Sequence, residues 1–235
     1  GKPCYDDLTG ANATGVLLRN FNLKTATLLK TEKIEQGMLS KYDAVTCPTK
    51  SRGTAKELAY QKVYYVASLL RGKGVTLYNK RIDSTLRGNR GAEIDDILAG
   101  LGNYRVAMVV PSFPQAGRVS VGGYLLVPGQ ALEHTDVARD PKTPIITSIY
   151  GIDKKTEECK VGSIPLDIVY GGIGAIEEEI LSLTKADARI IICDALREDD
   201  IEVIAEAVLA SGQAFVAADP GPFTAKYPWR DLWGT

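Results

Sequence analysis

The chain has 235 residues, 45% hydrophobic and 24% charged, an ordinary globular composition sufficient for one large domain or two small ones. Its 28 basic and 29 acidic residues leave a net charge of −1, so no overall field would draw it to nucleic acid. It contains no apolar run of 18 residues, so no membrane-spanning helix is expected, and its opening GKPCYDDL is unlike a secretory signal.

Strand-like and helix-like segments alternate along the chain. A short apolar stretch at residues 3–5 reads as a first strand, cut below the usual length of about five or six. A helical pattern follows at residues 10–21, then strand-like runs at 24–29 and 43–47. Residues 54–71 read as a helix, 75–78 as a buried strand, 91–101 as a helix and 105–110 as a strand. Residues 119–127 have strand character with internal glycines, closed by the turn Pro128–Gly129, and suggest an inserted β-hairpin. Residues 131–165 show little periodicity and read as a lid-like excursion. The pattern then resumes with strands at 166–170, 189–194 and 214–219 and helices at 174–184 and 198–210, the last ending at Gly212. This alternation predicts an α/β fold, a doubly wound, mostly parallel Rossmann-like sheet in a single domain that carries the hairpin and excursion as an insertion.

Cys4, Cys47, Cys159 and Cys193 are widely spaced with no CxxC pair, and three of them lie in apolar strand-like runs. That usage suits reduced, buried thiols and a cytoplasmic protein. The single histidine, His134, has no cysteine or histidine cluster around it, so no zinc site is expected.

Four polar turns follow predicted strands. After residues 3–5 comes DDLTGANATG, where Asp6 and Asp7 could take a proton from a hydroxyl or hold Mg²⁺, although Asp, Thr and Asn also serve as helix caps. Thr49–Lys50–Ser51–Arg52 is a second, cationic turn, and a plain helix lead-in explains it as well. After residues 75–78, KRIDSTLRGNRG places Lys80, Arg81, Arg87 and Arg90 among Asp83, Ser84, Thr85 and Asn89. Cations there suit a carboxylate or phosphate, and arginine can grip either in two-pronged fashion. PSFPQAGR then adds Arg118 beside Gly117. HTDVARDP, residues 134–141, brings together the histidine, two aspartates and an arginine, and fits an ordinary surface loop equally well. A doubly wound sheet binds its ligand at the carboxyl ends of its strands, where the first four turns are expected. Carboxylates facing cations there suit a small, anionic, hydroxyl-rich molecule such as a sugar acid.

DDLTGANATG, TKSR, KRIDSTLRGN, PSFPQAGR, HTDVARDP and DPGPFT, in this order over residues 5–224, resemble the N-terminal domain of the four-carbon acid-sugar kinases. These are the threonate, erythronate and 3-oxo-tetronate kinases. The resemblance implies ATP-dependent phosphoryl transfer to a hydroxyl of such an acid. It implies that this half holds the substrate, while a C-terminal domain absent from this chain carries ATP and most of the Mg²⁺ environment. By the same resemblance Asp7 is the base and contacts a substrate hydroxyl. Arg52 and the stretch from Lys80 through Arg81 and Asp83 to Ser84 hold the carboxylate and hydroxyls. Arg87 assists, and Asp6, Thr9 and Arg118 are weaker candidates. No GxxxxGK[ST] loop occurs in the chain, so residues 1–235 are expected to bind substrate without turning it over. No metal site on this half, no membrane or nucleic-acid partner, and a possible homodimer complete the expectation. A stand-alone acid-sugar-binding or regulatory module is the alternative. A phosphatase-type hydrolase fits less well, because DDLTG lacks the DxD spacing.

Overall fold

A computed structural model describes residues 4–5, 8–19, 22–29, 36–49, 56–86, 90–102, 105–139 and 159–227. In chain order its strands are β1 (Cys4–Tyr5), β2 (Thr25–Thr27), β3 (Ala44–Pro48), β4 (Tyr78–Arg81), β5 (Val106–Val109), β6 (Val119–Val121), β7 (Tyr124–Val127), β8 (Gln130–Ala131), β9 (Lys160–Ile164), β10 (Ala188–Cys193) and β11 (Phe215–Asp219). Its α-helices are α1 (Leu8–Arg19), α2 (Gln36–Leu39), α3 (Lys56–Leu70), α4 (Arg90–Gly100), α5 (Leu166–Tyr170), α6 (Ile173–Lys185), α7 (Glu198–Ala210) and α8 (Pro222–Lys226).

Eight strands form one parallel sheet in the order β2-β3-β1-β4-β11-β5-β10-β9. The fold is therefore the expected doubly wound α/β sheet. Its central strands are apolar almost throughout, as strands covered on both faces must be. One face packs Val63, Ile94, Ile97, Leu98, Leu125 and Val127 of α3, α4 and the hairpin. The other packs Leu18, Ile176, Ile180, Ile201, Ile204 and Phe223 of α1, α6, α7 and α8. No helix among the described residues is long and apolar enough to cross a membrane.

The chain leaves β1 through α1 on one face, and leaves the neighbouring β4 through α4 on the other. The boundary between β1 and β4 is thus the point where the winding reverses. Loops leaving it diverge to opposite faces and open a crevice beyond the strand ends.

Three expectations are corrected. Residues 166–170 are helix α5, and the edge strand is β9 instead. A five-residue apolar run is too short for its period to separate helix from strand. Part of the supposed excursion, residues 160–164, accordingly belongs to the sheet, while residues 140–158 lie outside the described residues. Finally, β4 begins three residues later than the apolar run suggested, so Lys80 and Arg81 are strand residues and the polar turn starts only at Ile82. The hairpin is present as β6, β7 and β8, but its first turn is Gly122–Gly123, both with φ near the left-handed region (58° and 77°) that only such a tight turn needs.

Helices α3 and α4 meet closely at Gly100. A Cβ there would sit 2.7 Å from Ala67 Cβ and 2.8 Å from the Tyr64 carbonyl oxygen. Alanine is the better helix former by about 1 kcal/mol, but a backbone oxygen cannot step aside. Gly100→Ala is expected to destabilise the protein by about 1–3 kcal/mol in urea denaturation. A gain in stability would show that the two helices do not meet this closely.

Candidate functional site

Strand β4 organises the crevice because successive side chains point to opposite faces. Tyr78 and Lys80 face the α3–α4 side. Tyr78 donates its hydroxyl to the Leu70 carbonyl (3.1 Å), and the Arg105 guanidinium lies 4.7 Å from its ring centre. Lys80 reaches Glu93 of α4 at 2.9 Å and the Arg81 carbonyl at 3.2 Å. Asn79 and Arg81 face the α8 side.

Lys80 is 1% exposed, in the middle of a sheet. An ammonium there must be neutralised, and buried Glu93 does so. The second oxygen of Glu93, Oε1, has no hydrogen-bond partner among the described residues. Glu93 is not among the residues the sequence singles out, where the cations of this stretch are expected to face an anionic ligand. The only hint lay three residues after Arg90, where an acid opens α4.

On the opposite face Asn79 donates to Asp219 Oδ1 (2.7 Å) and to the Thr224 hydroxyl. Asp219, fully buried at the end of β11, also accepts from Thr224 Oγ1 (2.6 Å), Thr224 N (3.1 Å) and Gly221 N (2.7 Å). The DPGPFT string is therefore a rigid turn built around one carboxylate. Arg81 pairs with Asp219 in sheet register, so it lies beside this turn. The guanidinium of Arg81 packs against Gly221, as does Leu17 of α1.

Beyond β4, Asp83 Oδ2 accepts from the Thr85 amide (3.2 Å) and hydroxyl, and Leu86 N bonds the Asp83 carbonyl (2.9 Å). This fixes half-buried Ser84 at the mouth of the crevice. Leu86 has φ +56°, a strained conformation for a branched side chain costing about 1–3 kcal/mol. Its side chain is buried in the core on the α3–α4 face, and burial of about 1.5–3 kcal/mol offsets the strain. The segment is held by packing, not by local preference.

The remaining expectations divide as follows. Asp6, Asp7, Arg52 and Arg87 lie outside the described residues, and Thr9 falls in the first turn of α1. Arg81, Asp83 and Ser84 follow one another at the end of β4 and in its turn, whereas Lys80 points to the other face of the sheet and is buried against Glu93. Arg118 is held at its own turn, donating to the Ala116 carbonyl (3.1 Å) beside the Phe113–Arg118 bridge. In HTDVARDP, Asp136 and Arg139 form an exposed pair at 3.2 Å, consistent with the surface-loop reading. Among the described residues no group of three or more His, Cys, Asp or Glu could hold a metal ion.

The hairpin is tied to the strand ends by a separate buried network. Ser112 and Ser120 hydroxyls are 2.6 Å apart, Ser112 donates to the Ala195 carbonyl (2.9 Å), and Ala195 N donates to Ser120 Oγ (3.1 Å). Buried Asp194 accepts from Gly122 N (2.6 Å) and Gly123 N (3.4 Å). Burial pushes its carboxyl above the ordinary range, and the two amides pull it partly back. The neighbouring Cys193 thiol is pushed up by burial as well, so it is inert as a nucleophile.

Comparison with known proteins gives a consistent assignment. A family model described as the sugar-binding N-terminal domain matches residues 4–227. A D-erythronate kinase of Heliobacterium modesticaldum is 47% identical over 222 residues, 93% of this chain and 50% of that protein. A D-threonate kinase of Salmonella typhimurium is 34% identical, over 86% of this chain and 47% of that protein. A 3-oxo-tetronate kinase of Pseudomonas fluorescens is 27% identical, over 97% of this chain and 55% of that protein. A crystal structure of a domain of unknown function from Bordetella bronchiseptica, a domain-swapped dimer with bound citrate, superposes with a TM-score of 0.81 at 28% identity, covering 96% of this chain and 54% of that one. The chain spans about half the length of the curated relatives it matches.

Two measurements check this geometry. Lys80→Met leaves Glu93 buried without its cation, and is expected to cost about 3–5 kcal/mol in chemical denaturation. A cost below about 1 kcal/mol would mean that Glu93 is not buried as a charge. Asp194 has its folded-state value raised, so the folded protein favours its protonated form. Its contribution to stability is therefore present at acid pH and is lost as pH rises from the ordinary carboxylate range through the raised value. Between about pH 7 and pH 4, the wild type should gain stability relative to Asp194→Asn. An unchanged difference between the two would refute the shift.

Proposed function

The chain belongs to the sugar-binding N-terminal domain family, and from that premise we propose that it is the substrate-holding half of an ATP-dependent four-carbon acid-sugar kinase. The observation that carries the reading is the 47% identity to a D-erythronate kinase over 93% of this chain. D-erythronate is accordingly the first candidate substrate, with D-threonate and 3-oxo-tetronate next. The strand-end crevice supports it, because Arg81 and Ser84 stand where a doubly wound sheet binds its ligand.

In this proposal Arg52 and Arg81 grip the carboxylate, and Asp83, Ser84 and Arg87 orient the hydroxyl-bearing carbons. Lys80 supports them from beneath, its charge matched to Glu93. Asp7 takes the proton from the hydroxyl that attacks, with Asp6, Thr9 and Arg118 at the margin. Phosphoryl transfer depends chiefly on positioning and charge, so an aligned hydroxyl with a nearby base is what this half contributes. In the same proposal ATP and most of the Mg²⁺ environment belong to a C-terminal domain; among the described residues no group of three or more His, Cys, Asp or Glu could hold a metal ion. A cytoplasmic location and two-fold association, as in the Bordetella protein, go with this reading.

The test is the full-length protein assayed for ADP release with D-erythronate, D-threonate and 3-oxo-tetronate. Asp7→Asn is expected to retain substrate binding and lose turnover by about 10²–10⁴-fold. Unchanged turnover would refute the base assignment. Binding without turnover in the wild type would favour an acid-sugar-binding module over a kinase.

A further inference from the structure

We propose that Gly221, in the turn organised by Asp219, is a positioning residue that sets the guanidinium of Arg81 for the substrate carboxylate. The inference rests on the function proposed above and names a part of the site that none of the motif-borne substrate residues includes.

Gly221 has φ +127°, a conformation that L side chains rarely adopt, and its Cα faces two side chains at once. A Cβ there would stand 2.9 Å from Leu17 Cδ1 and 3.0 Å from Arg81 Nη1, with Arg81 Cζ at 3.7 Å. The end of the Arg81 guanidinium therefore lies in the space a side chain at 221 would fill. The turn cannot retreat to make room. Asp219 holds Gly221 N at 2.7 Å and Thr224 N at 3.1 Å, while Asn79 and the Thr224 hydroxyl close on Oδ1. All of these groups are buried. The same carboxylate that accepts these bonds sits opposite Arg81 in the β4–β11 register, with Ile82 N donating to the Asp219 carbonyl at 3.1 Å.

Each contact thus has a separate task. The register brings Arg81 to the turn, and Asp219 makes the turn stiff. The missing Cβ lets the end of the guanidinium come close to the backbone of the turn. An arginine laid on a rigid surface loses less rotational freedom when it binds a carboxylate, so its two-pronged bond is worth more. A Cβ at 221 pushes the guanidinium aside by a few tenths of an ångström and strains the φ +127° turn beneath it, and this should cost affinity without touching the substrate.

The experiment measures D-erythronate and D-threonate binding to the full-length protein by calorimetry, in a double-mutant cycle. Gly221→Ala is expected to weaken binding at least tenfold in the wild-type background, and less than twofold in the Arg81→Ala background. An equal loss in both backgrounds would show that the glycine matters only for folding, and no loss in either would overturn the proposal. Kinetically, the loss should appear mainly in KM. Should Gly221→Ala fail to fold, Thr224→Val loosens the same turn and is expected to show a smaller loss that also vanishes with Arg81→Ala; a loss that persists overturns the idea. The Arg81 side-chain Nε–Hε signal in ¹⁵N-labelled protein separates the two levels of inference. It is expected to shift in Gly221→Ala whether or not either acid binds. A shift without wild-type binding to either acid would reject the functional reading while retaining the placement of Arg81, and an unmoved signal would reject the placement itself.

Discussion

The pairing of Tyr78–Arg81 with Val216–Asp219 is the constraint on which the rest of the crevice depends. It locks β4 into the interior of a parallel sheet, where alternate side chains must serve two different faces. Tyr78 and Lys80 go to the α3–α4 side, Asn79 and Arg81 to the α8 side. A slip of one residue would exchange these sets, burying Arg81 against Glu93 and leaving Lys80 beside the Asp219 turn. Register is therefore the device that assigns each cation its role.

The two faces handle polarity differently. On one, a buried ammonium and a buried carboxylate neutralise each other at 2.9 Å. On the other, a buried carboxylate accepts from two backbone amides, a side-chain amide and a hydroxyl. An Asp held by several donors stiffens the backbone around it, which is what a turn beside a binding crevice requires. The Asp194 and Ser112–Ser120 network does the same for the hairpin, clamping its Gly122–Gly123 turn to the end of β10. Rigid turns at the ends of β10 and β11 thus border the crevice edge of the sheet.

Much of the architecture is legible in the chain because apolar periodicity and length agree there. Helix α7 occupies the very residues its pattern indicated, 198–210, and β10 and β11 differ from their apolar runs by a residue or so. Legibility fails where a segment is short or its polarity is compensated from afar. Residues 166–170 could be either helix or strand on pattern alone, and tertiary packing of Ile168 and Val169 decided for helix. β9, with its polar KVGSI, is a strand only because β10 offers it an edge. β4 extends through Lys80 because Glu93, on a different element, removes the penalty of burying that charge.

By itself the sequence determined the class of fold, the order of polar turns along the strand ends and the family they belong to, since each of these resides in contiguous residues. It also marked DPGPFT as a distinctive string without indicating its use. Only the tertiary structure decided that Lys80 is an interior, ion-paired cation, that Arg81 rests on Gly221, and that Asp219 binds a turn together. Glu93 lies 13 residues from Lys80, and Asp219 lies 140 from Asn79. No local pattern encodes contacts between groups so far apart; the sheet register and the crossing of α4 create them.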